Sequence, residues 1–333
     1  MYDQLPNIRP HYRFRLSHVH ASELNLLLNL RTVSRYSIVA GILISLVAKA
    51  FGVFPLELQV LLALIALAVG IPHGAVDHLI TTPKLTGFKL ALFMAAYLGV
   101  VALAIAFILA QNTLGFQIVV LMSAVHFGIG DSAFIGEIDA RRKPATKFAK
   151  YFYALAAGFV PVVIPLVTSE STQALNRVNP NLVNWVGPWA TLILTLVLVL
   201  AASSVLAMLV TKRTQEAIDL LLLIALALVA PPLVAFAVYF GLWHALRHTG
   251  RLTLQLDASA KQHQQGRTAG AFAKAFIAGL PALVITICGA AVLGWSRGFA
   301  LGQDLLWYLL VVVWALTVPH MILTAKLDAK ALA

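Results

Sequence analysis

The chain has 333 residues, of which 60% are hydrophobic and only 11% are charged, and its mean hydropathy is +0.88. A soluble domain of this composition would expose too much apolar surface to water, so the sequence predicts an all-α polytopic membrane protein built as a transmembrane helix bundle. The net charge of +11 does not indicate nucleic acid, because the basic residues form short clusters between apolar runs. The single cysteine, Cys288, can form no internal disulfide.

A polar extension, residues 1–35, precedes the first apolar run. Its segment 19–31 places Leu24, Leu27 and Leu28 at helical spacing among polar residues, which predicts an amphipathic helix in the membrane interface. The first apolar run carries no small-residue cleavage pattern after it. We therefore expect no cleaved signal peptide and expect the first helix to anchor the protein.

Ten apolar runs of spanning length follow and form one predicted catalytic transmembrane domain, residues 36–326, ahead of a short cytoplasmic tail, residues 327–333. The runs cover about residues 36–54, 56–80, 88–111, 114–132, 147–168, 187–211, 214–230, 232–249, 270–294 and 303–326. Pro231 and Pro232 separate the seventh run from the eighth, because an unbroken run would overshoot a bilayer core of about 30 Å. A hairpin and a broken helix both stay open, so we expect about ten helices, within a range of eight to ten.

Lysine and arginine indicate the orientation, because cytoplasmic loops collect them. With the N-terminus inside, the basic residues at or near the outer ends are only Lys49, Arg177 and Arg297 of the 24 in the chain. We therefore expect both termini to be cytoplasmic and the protein to be a multi-pass protein of the cell (inner) membrane.

Six of the ten histidines fall in apolar runs or their last turns, where ionisable groups are costly and usually mark a site. They are His73, His78, His126, His244, His248 and His320. On the predicted topology their helices all lead from outside to inside and carry the histidines past the middle, as a shared metal centre requires. Taken one at a time, each could equally be a core histidine bonded to a carbonyl. The other four, expected to be solvated, are His11, His18, His20 and His263.

Four of the intramembrane histidines are the predicted catalytic metal ligands. His244 and His248 are spaced i, i+4 and project from one helical face, so they can hold one ion as a pair. His73 follows Pro72, which frees a backbone carbonyl and can turn the ring inward. The fourth is His126, followed by glycines that allow close approach of a neighbouring helix or ligand.

The remaining polar residues near these ligands have predicted supporting roles. Asp77 and Asp131 are candidates to orient the ligating imidazoles, which usually donate their second N–H to a carboxylate or carbonyl; capping of cytoplasmic helix ends is an equal alternative. His320 follows a proline and is predicted to lie behind the ligands or in the pocket wall rather than to bind the metal. For His78 a fifth ligand, a substrate contact and a boundary residue all stay open.

Four neutral imidazoles suit Fe(II), Zn(II) or Cu(II), and affinity order alone does not choose among them. A hydrolytic zinc centre would need water in apolar surroundings, whereas O₂ and a lipid-soluble substrate both dissolve in hydrocarbon. We therefore hypothesise an iron oxygenase that acts on a lipid-soluble substrate. Protonation of the histidines should release the metal at acidic pH.

The segments "GIPHGAVDH", "HFGIGDS", "APPLVAFAVYFGLWHALRH" and "LTVPHMIL" resemble the signature segments of the Brp/Blh family of prokaryotic membrane carotenoid oxygenases. The resemblance extends over about residues 60–325. It implies that O₂ cleaves β-carotene at its central double bond to give two retinal molecules, which can be delivered to a rhodopsin. It also implies Fe(II) as cofactor and carries the family's ligands onto His73, His126, His244 and His248.

The topology adds an expectation about the substrate, since an extended carotene is comparable in length to the bilayer core but the metal is predicted in the cytoplasmic half. A tunnel strongly inclined to the membrane normal follows. Candidates to line it are aromatic residues of the histidine helices, namely Phe127, Tyr239, Phe240 and Trp243, together with His78.

Three other functions stay open at this point. A di-iron membrane desaturase or hydroxylase needs about eight histidines in paired boxes, and a divalent metal transporter would favour ligands staggered across the membrane. An opsin-associated assembly factor would need no chemistry.

Overall fold

The computed structural model describes residues 10–52, 54–82, 85–142, 146, 148–298 and 304–332, with side chains from Val19 onward except those of residues 75, 77 and 78. Over this part of the chain the backbone is mostly helical and forms no strand. Its α-helices are α1 (Pro10–Phe51), α2 (Leu56–Gly70), α3 (Asp77–Thr81), α4 (Gly87–Ala110), α5 (Asn112–Arg142), α6 (Lys150–Val167), α7 (Ser171–Val178), α8 (Ala190–Val210), α9 (Thr214–Val229), α10 (Pro232–Tyr239), α11 (Ala245–Leu252), α12 (Asp257–Gln264), α13 (Thr268–Trp295) and α14 (Leu305–Leu332). Short 3₁₀ segments occupy Ile71–Val76, Pro180–Leu182 and Gly187–Trp189, and a π turn occupies Phe240–His244.

Eight helical segments within the described ranges are long and apolar enough to cross a membrane. They are Val19–Phe51, Leu56–Thr81, Gly87–Ala110, Asn112–Arg142, Lys150–Val167, Gly187–Val210, Thr268–Trp295 and Leu305–Leu332. These segments confirm the predicted all-α transmembrane bundle. The cytoplasmic location of both termini stays a prediction.

The apolar stretch from residue 214 to residue 252 is broken at two prolines. α9 ends at Val229, Ala230 and Pro231 are extended, and α10 begins at Pro232. Proline suits the first turn of a helix, because it has no backbone N–H to leave unpaired there. The predicted break is therefore present, while the number of membrane spans, between eight and ten, stays a prediction.

Helices run across both of the predicted divisions of the chain. α1 runs continuously from Pro10 to Phe51, so the boundary predicted at residues 35/36 falls inside a helix. The segment 19–31 is part of α1 rather than a separate interfacial helix, and Leu27 is buried in a cluster with Phe134 of α5. An amphipathic stripe does not specify whether its apolar face meets lipid or protein. The predicted tail from residue 327 likewise continues α14.

His263 on α12 is buried, contrary to the expectation that it is solvated. Its Nδ1 lies 3.1 Å from the hydroxyl of Ser22, and its Nε2 lies 3.1 Å from the hydroxyl of Thr253. Burial lowers the pKa of His263. The polar sequence around it misled the prediction, because α1 and α12 pack together and cover the ring.

The most extensive helix contact in the described part of the chain lies between α5 and α6. A Cβ atom on Gly128 would overlap the carbonyl oxygen of Ala154, and one on Gly158 would overlap the carbonyl oxygen of Ala124. Because Gly128 follows His126 by two residues, this contact also fixes the position of a site histidine. The glycines thus allow the backbones to approach, as small residues do in membrane helix pairs.

We predict that Gly158→Ala lowers the free energy of unfolding by about 1–3 kcal/mol, because the added methyl group must push two backbones apart. Thermal unfolding in detergent would report this as a lower Tm. The matched control is Gly99→Ala on α4, where an added Cβ meets nothing within 4 Å. If Gly158→Ala, Gly99→Ala and the wild type all had the same Tm, the close α5–α6 contact would be contradicted.

Candidate metal centre

Five histidine side chains meet in the interior of the bundle, and none is more than 7% exposed. They are His73 of the 3₁₀ segment, His126 of α5, His244 of the π turn, His248 of α11 and His320 of α14. Eight of the distances between their ring centroids lie between 4.9 and 6.3 Å. The structure therefore brings together the four predicted ligands and adds His320, 4.9 Å from His126 and 5.5 Å from His73.

The chemistry and spacing of the five imidazoles are compatible with a metal ion. Rings that bind one ion through metal–nitrogen bonds of about 2.1 Å have centroids on the order of 4.5–6.5 Å apart. Nε2 of His126, Nε2 of His244 and both ring nitrogens of His248 are buried without a hydrogen-bond partner, which is costly unless something binds them. Among the described residues, no group of three or more His, Cys, Asp or Glu side chains is placed so that it could hold a metal ion without adjustment.

His73 owes its orientation to the 3₁₀ segment Ile71–Val76, which follows α2 and contains Pro72. Its Nδ1 hydrogen-bonds the carbonyl oxygen of Gly70, so this nitrogen is the donor and the ring carries its proton there. That tautomer directs the lone pair of Nε2 away from the backbone and makes Nε2 the nitrogen able to bind a metal.

His244 and His248 lie on one face, as their spacing predicts, with ring centroids 5.8 Å apart and ring planes 26° from parallel. His244 ends the π turn Phe240–His244, and His248 lies in the α-helix that follows. Such π turns insert an extra residue into a helix and are frequent at functional sites.

The Asp131 side chain forms hydrogen bonds with residues other than His126, whose imidazole it was a candidate to orient. Its carboxylate accepts hydrogen bonds from Arg247 Nη1 at 2.6 Å and from the hydroxyl of Tyr153 at 2.8 Å. Five residues along an α-helix turn a side chain by about 140°, so Asp131 points to a different face of α5 from His126. The carboxylate instead neutralises the arginine that lies between His244 and His248 on the chain.

A buried ionic network, which the sequence pattern did not predict, surrounds that arginine. Arg247 donates to the hydroxyl of Ser34 at 3.0 Å and lies 3.6 Å from Asp219. Asp219 is bonded to Arg31 at 2.8 Å and to Arg35 at 2.6 Å. These arginines had been interpreted as loop charges that set the orientation. The sequence did contain a signal for this network, namely carboxylates inside a predicted membrane run, because carboxylates need cationic partners there.

A cavity of about 780 Å³ adjoins the histidines. His73, His126 and His320 form part of its wall, as do the predicted aromatic residues Phe127 and Tyr239. The rest of the wall is mainly aliphatic and aromatic and, among the described residues, includes no Asp, Glu, Lys or Arg. It is therefore suited to a large apolar ligand.

Of the other predicted lining residues, Phe240 lies in the cavity wall but Trp243 does not. Trp243 is fully buried, with the guanidinium of Arg247 3.4 Å from its ring centroid. Neighbouring helix residues point about 100° apart, so a ring next to His244 turns away from the cluster. The side chains of Asp77 and His78 lie outside the described part of the structure, and their roles stay predictions.

These features define a class: a multi-pass helical membrane protein whose buried histidines face a large apolar cavity. The family model described as Beta-carotene 15,15'-dioxygenase matches residues 64–328, which include all five histidines. The chain belongs to this family.

Two curated relatives are similar over most of the chain. "Beta-carotene 15,15'-dioxygenase" of uncultured marine bacterium 66A03 is 29% identical over 273 residues, which cover 77% of this chain and 88% of that protein. "Probable beta-carotene 15,15'-dioxygenase Blh" of Halobacterium salinarum (strain ATCC 700922 / JCM 11081 / NRC-1) is 26% identical over 303 residues, which cover 79% and 82%. No solved structure matches the chain significantly.

Proposed function

We propose that this protein is a non-haem Fe(II) dioxygenase that cleaves β-carotene at its central double bond with O₂ to give two retinal molecules. The observation that carries the proposal is the cluster of five buried imidazoles, three of which form part of the wall of a large apolar cavity. The names of the two relatives support the reaction and the substrate.

His73, His126, His244 and His248 would hold the iron, with His320 beside them. Bound Fe(II) would supply the activation of O₂, which organic side chains do not provide. An all-imidazole set keeps the ion dicationic, and its nitrogens must be neutral to bind. Burial favours that neutral form, because a charged imidazole is costly in an apolar interior.

The protein's own contribution is to bind and orient the polyene. The aliphatic and aromatic wall excludes water and favours a hydrocarbon chain, while Phe127 and Phe240 pack beside the histidine rings. β-Carotene and O₂ both dissolve in the lipid around the protein, so both can be supplied from the membrane. Delivery of retinal to a rhodopsin and location in the cell (inner) membrane belong to the same proposal.

The grouping of the five described histidines in one cluster argues against the two metal-binding alternatives. A di-iron desaturase or hydroxylase would need ligands for two ions, whereas the five grouped imidazoles suit one. A divalent metal transporter would need ligands at successive depths along a path. Iron near one per chain, with no metal uptake into proteoliposomes, would separate the proposed enzyme from both.

The test is expression in a bacterial host that accumulates β-carotene. We expect loss of β-carotene with formation of two retinal molecules for each one consumed, and loss of activity after removal of iron by a chelator, restored by Fe(II). Cells carrying the empty vector are the control. Absence of retinal in cells that contain folded, iron-loaded protein would contradict the proposed function.

A further inference from the structure

The cavity opens on the side of the protein rather than at an end of the bundle. Most of the residues that line it are buried or half-buried. Within the described part of the chain, the exposed lining residues all belong to α3, α4 and α13. They are Leu79, Met94, Leu98, Ala278, Pro281, Ile285 and Gly289. The cavity mouth therefore lies between α4 and α13, with α3 at its edge.

This mouth faces outward from the helix bundle, toward the lipid expected around the membrane spans. α4 and α13 are the least buried of the eight candidate spans. Both pack against α14 and make little contact with each other over the described residues. The mouth residues of α4 and α13 lie six or more residues from the helix ends, which is about 9 Å of helix. An opening at this height leads into hydrocarbon rather than into water.

The mouth lies at the level of the histidines. Gly279 of α13 packs directly on the carbonyl oxygen of Pro72, the residue before His73. Ala278 and Pro281 are within one helical turn of Gly279, so the inner part of the mouth is beside the 3₁₀ segment that carries His73. An apolar molecule passing between α4 and α13 would therefore meet the imidazoles soon after it leaves the lipid.

We propose that the gap between α4 and α13 is a lateral portal, through which the polyene substrate enters from the bilayer. This inference rests on the proposed function for the identity of the molecule. A linear hydrocarbon suits the portal, because its lining residues are apolar and continuous with the cavity wall. The enclosed part of the cavity, around Phe116 and Leu310, can then receive one end of the molecule while the other end stays near the mouth. Sideways access also agrees with a substrate inclined to the membrane normal.

Two glycines provide a matched test. Gly289 on α13 and Gly99 on α4 are both exposed and in helices, and a Cβ at either position would meet nothing within 4 Å. Only Gly289 lines the cavity. Tryptophan can therefore be accommodated at both positions, but at residue 289 its ring would obstruct the mouth.

With β-carotene presented in liposomes, we expect Gly289→Trp to lower kcat/KM about tenfold or more, because uptake becomes slow. Gly99→Trp should behave like the wild type. After long anaerobic loading with carotene, a single turnover started by O₂ should show a smaller difference between Gly289→Trp and the wild type than kcat/KM does, because entry no longer limits the rate. Iron content and Tm should be equal in all three proteins. If a glycine variant fails to fold, a second pair of variants makes the same comparison. Ile285→Trp changes an exposed residue that lines the mouth, and Ile287→Trp changes an exposed residue nearby that does not line the cavity.

The outcomes separate the portal from the proposed function. Unchanged kcat/KM in Gly289→Trp and Ile285→Trp would overturn the portal and indicate that the groove merely holds lipid chains. If the wild type forms no retinal, the proposed reaction fails, and anaerobic uptake of carotene from liposomes still tests the portal. Slower uptake in the mouth variants alone would support it, whereas uptake equal to that of the controls, or no uptake by the wild type, would overturn it.

Discussion

Alanine in place of any one of His73, His126, His244 or His248 is expected to abolish retinal formation and to lower iron affinity more than about 100-fold. The reason is that loss of a residue that merely supports a ligand already costs about 10–100-fold in metal affinity. Nε2 of His126, Nε2 of His244 and both ring nitrogens of His248 have no hydrogen-bond partner. Alanine at these three positions therefore breaks no hydrogen bond of those atoms and should leave the fold largely unchanged. Iron content of purified protein and retinal formed in a carotene-accumulating host measure the two effects.

His263→Ala is the matched control, since His263 is a buried histidine outside the cluster. It should retain iron and retinal formation. His320→Ala tests the predicted division between ligands and pocket wall: we expect it to keep most of its iron but to lower kcat. Full retinal formation in an alanine variant of one of the four proposed ligands would remove that residue from the ligand set.

Asp219→Ala is expected to lower the free energy of unfolding by about 3–5 kcal/mol, because it leaves buried arginines without their counter-ion. Asp219 is fully buried and is bonded to Arg31 at 2.8 Å and to Arg35 at 2.6 Å. We therefore expect poor yield and a much lower Tm in detergent. Since Asp219 also lies 3.6 Å from Arg247, the variant should loosen the helix that carries His244 and His248 and lower iron content as well.

The control for this change is Glu170→Ala, which breaks the ion pair between Glu170 and Lys49. The two side chains of this pair are 48% and 41% exposed, respectively. Exposed pairs contribute about 0–1 kcal/mol, so its Tm should stay near that of the wild type. Similar melting of Asp219→Ala and Glu170→Ala would show that the buried network adds no more stability than a surface pair.

The ionic network gives Arg247, which lies between two histidines of the cluster, a structural role. Arg247 holds the segment between His244 and His248 by its bonds to Asp131 and Ser34 and by its contact with the ring of Trp243. These contacts join α11 to α1 and α5, which positions the histidine pair relative to His126. Residues that touch no substrate therefore contribute to the geometry of the candidate site.

The sequence by itself determined the features that depend on neighbours along the chain. Hydropathy predicted the membrane helices, because a backbone in hydrocarbon must satisfy its own hydrogen bonds. The prolines at 231 and 232 predicted the break before α10, and the i, i+4 spacing predicted that His244 and His248 share a face. The cost of histidine in an apolar run selected six residues, five of which the structure brings together.

Only the tertiary structure decided which groups meet across helices. It brought His320 to the rings of His73 and His126, turned Asp131 toward Arg247 and buried His263. In the folded protein the apolar stripe of the N-terminal segment packs against other helices rather than lying in the membrane interface. The cavity opens between α4 and α13. A helical pattern states which residues share a face, but the partner of that face depends on how distant segments pack, and no local periodicity encodes that choice.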